Sequence, residues 1–192
     1  MPIIHQTNEN NCKIAVWKMN ETLESLLRLS KCVIPTKFKN EKRKKEFLTI
    51  QLLCSKILPE SSIYYNKYGA PEVKNNFISI SHSSNLTAII LSNNKVGLDV
   101  EKISSRPVML ASKFISKKNH VDLSEEKATL IWCCKEAIFK WYQIGKIDYL
   151  KDIKINSFVT KEKGQLTAEF KNQIFNIHYR KIDAHFLVYV CK

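Results

Sequence analysis

Val96-Gly97-Leu98-Asp99-Val100-Glu101 and, further along, Trp132-Cys133-Cys134-Lys135-Glu136-Ala137-Ile138-Phe139-Lys140 are the two stretches from which the fold and chemistry of this chain are read. In the first, Asp99 and Glu101 alternate with Val96, Leu98 and Val100. On a strand that directs both acids to one face and the apolar side chains to the other. In the second, the spacing predicts a helix on which Glu136 and Lys140, four apart, share a face and can reach one bound group. Three carboxylates and a lysine suit a divalent cation and a phosphate. The metal neutralises phosphate oxygens, and the ammonium stabilises charge developing on a leaving group. Taken singly, the strand reads as a solvated acidic face and the Glu–Lys pair as a surface ion pair. Their combination is what points to phosphoryl transfer.

Outward from these stretches the chain mixes both periodicities. Upstream, Cys12 to Met19 alternates as a strand, with Ile14, Val16 and Trp17 as packing residues. Leu23, Leu26 and Leu27 predict a helix over 21–31 behind an Asn20 cap. A longer helix is expected from about Asn40 to Leu58, burying Phe47, Ile50, Leu53, Cys54 and Ile57. Its first turns carry Lys42, Arg43, Lys44 and Lys45, a charge run that suits solvent or a phosphate. Short strands over 63–65, 77–81, 86–91 and 95–101, linked by Ser83-Ser84-Asn85 and Ser92-Asn93-Asn94, read as an antiparallel meander. A short helix is expected near 108–114. The helix carrying Glu136 should run from the Ser124 cap to about Tyr142 and stop before Gly145. Strands over 165–170, 173–180 and 185–191 close the chain. The expected class is α+β, with a 1–94 lobe and a 95–192 lobe of comparable content.

Apolar content of 44% in 192 residues is ordinary for a folded protein and excludes disorder. The net charge of +13 is spread over both halves and favours anionic partners without choosing among nucleic acid, membrane, nucleotide-like cofactor or acidic protein. Six cysteines have no C-x-x-C spacing, so they read as reduced, buried thiols. No stretch is long and apolar enough to span a bilayer, and the N-terminus has no leader pattern, so the expectation is a cytoplasmic protein without a membrane partner.

The G-x-D-x-E strand, the W-x-x-K-E-x-x-x-K helix and, upstream, Ile78-Ser79-Ile80-Ser81-His82-Ser83 together resemble the signature of the 4′-phosphopantetheinyl transferase superfamily, in its two-lobed single-chain group. The resemblance covers about 78–140 and is loose before that. It implies two similar lobes, each an antiparallel sheet with packed helices, related by a pseudo-twofold with the active site in the cleft between them. It further implies transfer of the phosphopantetheine arm of coenzyme A to a serine of an acidic acyl or peptidyl carrier protein. Asp99, Glu101 and Glu136 match the Mg2+-binding acids, and Lys140 the lysine on the pyrophosphate. Ser81 and His82 match a serine and a histidine that touch phosphate. Arg43 and Lys45 are candidates for the 3′-phosphate. Catalysis is expected from Glu136 and Lys140, with Glu136 accepting the serine proton directly or through water, in a monomer with no nucleic-acid partner.

Two positions depart from the pattern. Gly69-Ala70-Pro71 has alanine where the family commonly has a coenzyme A-binding lysine, and Asn119 stands where some members carry a glutamate; the neighbouring His120 is expected to be dispensable. Two other readings are a basic nucleic-acid-binding protein, using the aromatic and basic side chains for stacking and phosphate contacts, and an inactive transferase-fold binding module. No nucleic-acid motif supports the first, and retention of the three acids and Lys140 argues against the second.

Overall fold

The computed structural model describes residues 3–59, 62–116 and 123–192. The elements run β1 (Ile3–Glu9), β2 (Cys12–Lys18), α1 (Leu23–Ser30), α2 (Glu41–Ile57), β3 (Tyr64–Tyr65), β4 (Pro71–Glu72), β5 (Phe77–Ser83), β6 (Leu86–Ser92) and β7 (Val96–Lys102). They continue with α3 (Arg106–Met109), a 3-10 turn (Ala111–Lys113), α4 (Glu125–Tyr142), β8 (Ile153–Ile155), β9 (Lys163–Phe170), β10 (Gln173–Ile182) and β11 (His185–Cys191). Two antiparallel sheets result, with strand orders β1-β2-β6-β5 and β7-β11-β10-β9-β8, beside the small β3-β4 pair. The class is α+β.

Layering follows from which faces are apolar. One face of the first sheet (Ala15, Trp17, Ile78, Ile89, Leu91) packs on α1 and α2 through Leu26, Leu48 and Leu53. Leu48 and Leu53 are fully enclosed, and each contributes roughly 1.5–3 kcal/mol of burial. The opposite face (Ile14, Val16, Leu86, Ala88, Ile90) meets Leu98, Val100, Leu187 and Tyr189 of the second sheet. The far face of that sheet holds α4 through Leu130, Cys133, Cys134, Ala137 and Ile138 against Phe175, Ile177, Phe186 and Val188. The order is helix, sheet, sheet, helix. It explains why β2 and β6 are buried on both sides.

Local expectations hold with specific corrections. Asn40 and Ser124 do cap α2 and α4, accepting from Lys42 N and Lys127 N. The cap of α1 is Thr22, whose Oγ1 accepts from Ser25 N at 3.2 Å, and Asn20 lies outside the helix. Helix α4 stops at Gln143, left-handed at φ 66°, two residues before Gly145. The short helix lies earlier than expected, at Arg106–Met109, and is followed by the 3-10 turn. Phe47 is only half-buried, because Leu48 and Leu52 turn inward on α2.

The largest correction concerns β7. It does not extend the β5–β6 meander but joins the second sheet by pairing with β11, Asp99 opposite Val188 and Glu101 opposite Phe186. Its free edge faces β5. There the serines of the I-S-I-S-H-S run, two apart and therefore on one face, replace a backbone ladder. Ser79 Oγ accepts from Leu98 N at 3.0 Å and Ser83 Oγ accepts from Lys102 N at 3.1 Å. Ser81, between them, reaches the acids.

Candidate active site

The β5–β7 seam and α4 meet at Asp99. This side chain is buried, and its Oδ1 accepts from Ser81 Oγ at 2.8 Å and from Lys140 Nζ at 2.7 Å. Lys140 also donates to Ser81 Oγ at 2.8 Å, closing a three-membered group from β5, β7 and α4. Two residues along β7, Glu101 Oε2 accepts from Ser83 Oγ at 2.6 Å. On α4, one turn before Lys140, Glu136 Oε1 accepts from the Tyr149 hydroxyl at 3.0 Å. Helix and strand come this close because Gly97 has no side chain, since a Cβ there would sit 1.9 Å from the carbonyl oxygen of Ala137.

The carboxylates share one electrostatic neighbourhood. Burial raises Glu101, and the Asp99 charge adds to this against the Ser83 hydrogen bond. Glu136 is pushed up to about 7, first by burial and then by the Asp99 charge, against the pull of Lys140 and the Tyr149 hydroxyl. Burial, followed by the Asp99 charge, keeps the Cys133 thiol protonated.

The raised Glu136 has a measurable consequence. Between the ordinary carboxylate range and about pH 7, the folded protein keeps a proton on Glu136 that the unfolded chain has already released. This favours folding below the ordinary carboxylate range and is lost as pH rises through about 7. Metal-free Glu136→Gln is therefore expected to lose less thermal stability than wild type between about pH 5 and pH 8. Parallel curves of Tm against pH would assign the titration to another group.

A second group lies next to the first. Arg43 Nη1 donates to Glu46 Oε2 at 2.9 Å and to His82 Nε2 at 3.1 Å, while His82 Nδ1 lies 3.3 Å from Glu46 Oε1. Burial lowers the His82 pKa, the Arg43 and Lys140 charges lower it further, and Glu46 opposes them. A neutral ring donating from Nδ1 to Glu46 and accepting at Nε2 fits every contact. Glu46, which positions both partners, was not singled out from the sequence. Its signal is an acid at i+3 from Arg43 on the buried side of α2. Lys45 is half-buried on the same turn, and no ion pair joins it to Glu46 or His82 among the described residues. The Ala70 backbone N–H donates to Asn66 Oδ1 at 3.0 Å. Asn119 and His120 lie outside the described residues.

A cation fits this donor set on one specific observation. Asp99 Oδ2 is buried and receives no N–H or O–H hydrogen bond among the described residues, the Cys133 thiol beside Asp99 being only a weak donor. A buried carboxylate oxygen left so is costly, and a cation would satisfy it. No three His, Cys, Asp or Glu side chains form a ready cage among the described residues. Such a cation would thus have few protein ligands and would take other oxygens from substrate and water, as Mg2+ prefers. A cavity of about 310 Å³ between β1 and β9–β11 is lined by His5, Glu9, Lys163, His178, Arg180 and Tyr189 and includes none of Ser81, Asp99, Glu101, Glu136 or Lys140.

Residues 95–191 match the family model described as the 4′-phosphopantetheinyl transferase superfamily, about half of the chain, and the chain belongs to that superfamily. The matched segment holds Asp99, Glu101, Glu136 and Lys140; Arg43, Ser81 and His82 precede it. Among curated proteins, the chain is 30% identical over 124 residues to the 4′-phosphopantetheinyl transferase gsp of Aneurinibacillus migulanus, covering 59% of this chain and 50% of that protein. The match thus spans about half the length of that curated relative. Among the described residues no helix is long and apolar enough to cross a membrane.

Proposed function

We propose that this protein transfers the 4′-phosphopantetheine arm of coenzyme A to a serine hydroxyl of an apo acyl or peptidyl carrier protein, releasing 3′,5′-ADP with Mg2+ as cofactor. The observation that carries the reading is the buried Asp99, bonded through Oδ1 to Ser81 and Lys140 and open at Oδ2, beside the raised carboxylate of Glu136. Membership of the superfamily and the name of the relative support the same chemistry.

Asp99, Glu101 and Glu136 are the proposed Mg2+ ligands, which form no ready cage until the ion draws them together. Mg2+ when bound would neutralise charge on the pyrophosphate oxygens. Lys140, which is 26% exposed at its side chain, can turn its ammonium from Ser81 to a phosphate and stabilise the departing 3′,5′-ADP. Ser81, His82, Arg43 and Lys45 are the proposed contacts for further coenzyme A phosphates. Glu136, ionised once it holds the cation, would accept the proton of the incoming serine directly or through water. The carrier's acidic surface meets a chain of net charge +13, which favours encounter at low salt.

The lobes are proposed to divide between residues 94 and 95 and to be related by a pseudo-twofold, with the site between them. Strand orders β2-β6-β5 and β7-β11-β10 support this, because in each the strand before the long helix pairs with the last strand of its sheet. The free thiols favour a reducing compartment such as the cytoplasm, and a monomer is the proposed state.

Mass spectrometry of an apo carrier protein incubated with this protein, coenzyme A and Mg2+ tests the reading. The expected result is a gain of one phosphopantetheine on the carrier serine, and an unmodified carrier across acyl and peptidyl types would overturn it. Lys140→Ala is expected to lower turnover on the order of 10²-fold, the scale of one lost preorganised donor. A change confined to KM for coenzyme A would instead assign Lys140 to ground-state binding.

A further inference from the structure

We infer that Lys135 and Tyr149 are positioning residues for Glu136: Lys135 clamps the turn that follows α4, and that turn brings the Tyr149 hydroxyl onto the Glu136 carboxylate. The inference rests on the reading of Glu136 as a site residue.

Lys135 is only 4% exposed, on the side of α4 that enters the core. A lysine so enclosed carries a desolvation cost, and among the described residues no carboxylate forms an ion pair with it. Its ammonium instead donates to two backbone carbonyls, those of Tyr149 and Ile153. Those carbonyls bracket a tight turn. Asp152 N donates to the Asp148 carbonyl at 2.8 Å, and Asp148 Oδ1 accepts from Leu150 N at 2.9 Å and Lys151 N at 3.1 Å. Lys135 therefore fastens a self-closed turn to the middle of α4.

What the turn presents is Tyr149. Its ring packs on Trp132 at 5.5 Å and Phe139 at 5.8 Å, both on α4, and its hydroxyl reaches Glu136 Oε1 at 3.0 Å. Lys135 and Glu136 are neighbours in sequence but point about 100° apart on the helix, so the turn is the physical link between them. A glutamate has several rotatable bonds, and its carboxylate takes one direction only where a partner holds it. Among the described residues, the Tyr149 hydroxyl supplies the hydrogen bond that does so. A lysine that merely filled space could be replaced by an apolar chain of the same length without consequence for Glu136.

The test is a double-mutant cycle on the purified full chain, read by kcat, KM for coenzyme A and direct Mn2+ binding followed by electron paramagnetic resonance. Tyr149→Phe keeps the ring stack and removes one hydroxyl. It is expected to lower kcat and Mn2+ affinity by roughly 10–100-fold, the usual scale for a lost outer partner of a ligating carboxylate, with little change in KM. Lys135→Met keeps an unbranched chain one atom shorter and removes the ammonium; it should do the same, and the double variant should be no worse than the poorer single one. Wild-type kcat and Mn2+ affinity in Tyr149→Phe overturn the inference, as do losses that multiply in the double variant. If Lys135→Met does not fold, Tyr149→Phe decides alone. A wild-type protein that transfers nothing overturns the proposed reaction, while the Mn2+ comparison still reads the positioning. A wild-type protein that binds neither Mn2+ nor coenzyme A overturns both.

Discussion

Gly97→Ala is expected to destabilise the protein and to disable it at once, although it adds a single methyl group. That methyl would stand 1.9 Å from the Ala137 carbonyl oxygen, 2.6 Å from Trp141 N and 2.9 Å from Trp141 Cβ. The two nearest atoms are backbone of α4, so no rotamer change relieves the clash and the helix must retreat from β7. Alanine in a strand would otherwise gain roughly 0.5–1 kcal/mol over glycine. The clash outweighs that, since overpacking a closed contact costs about 1–3 kcal/mol and more when backbone must move. For a chain of this size each kcal/mol lowers Tm by about 2–4 °C. The functional loss should exceed the stability loss. Gly97 lies two residues from Asp99, while Ala137 lies between Glu136 and Lys140, so the retreat opens the space between the groups that must act together. A misplacement of about 1 Å can cost on the order of 10²-fold in rate. Thermal melts and carrier modification measured below Tm check both parts. A variant with wild-type Tm and turnover would show that the helix does not sit on Gly97.

The residues that were legible in the sequence are those whose partners are set by local spacing. Asp99 and Glu101 share a face because a strand repeats every two residues, and Glu136 and Lys140 share one because a helix nearly repeats every four. Ser124 and Asn40 announced their helices by chemistry that acts within one turn. What escaped reading depends on contacts distant in sequence. Strand β1 carries His5, Gln6, Thr7 and Asn8 at the sheet edge, so it lacks the apolar alternation that marks a strand. The turn at Ser92-Asn93-Asn94 looks like a hairpin, yet the strand beyond it pairs with β11, near the end of the chain. Nothing in the periodicity of either strand specifies that partner. Gly97 stood in plain view within the acidic stretch, but its role is a close approach of two backbones, which only packing reveals. Lys135 reads as one more polar residue beside Glu136 until the turn around Tyr149 closes on it.

Asp99→Asn should silence transfer while leaving the fold in place. The amide matches the carboxylate in size, and its oxygen can still accept from Ser81 and Lys140, as Oδ1 does at 2.8 Å and 2.7 Å. What disappears is the negative charge and the open Oδ2, the oxygen best suited to a cation. Removing one member of a buried ion pair can be strongly destabilising. Here the cost is discounted, because the Lys140 side chain is 26% exposed and water can solvate the ammonium that loses its counter-charge. Turnover should fall by on the order of 10²–10³-fold or more, the scale of losing a preorganised electrostatic partner for the transferring group. A second readout is independent of turnover. Glu136 is pushed up to about 7 by burial and then by the Asp99 charge, so the substitution should lower its titration midpoint towards the ordinary carboxylate range. Carboxyl-carbon NMR of the metal-free protein would follow that midpoint directly. Turnover within a few-fold of wild type would remove Asp99 from the proposed metal site. An unmoved Glu136 midpoint would mean that the two carboxylates do not sense each other, and the shared site would fail with it.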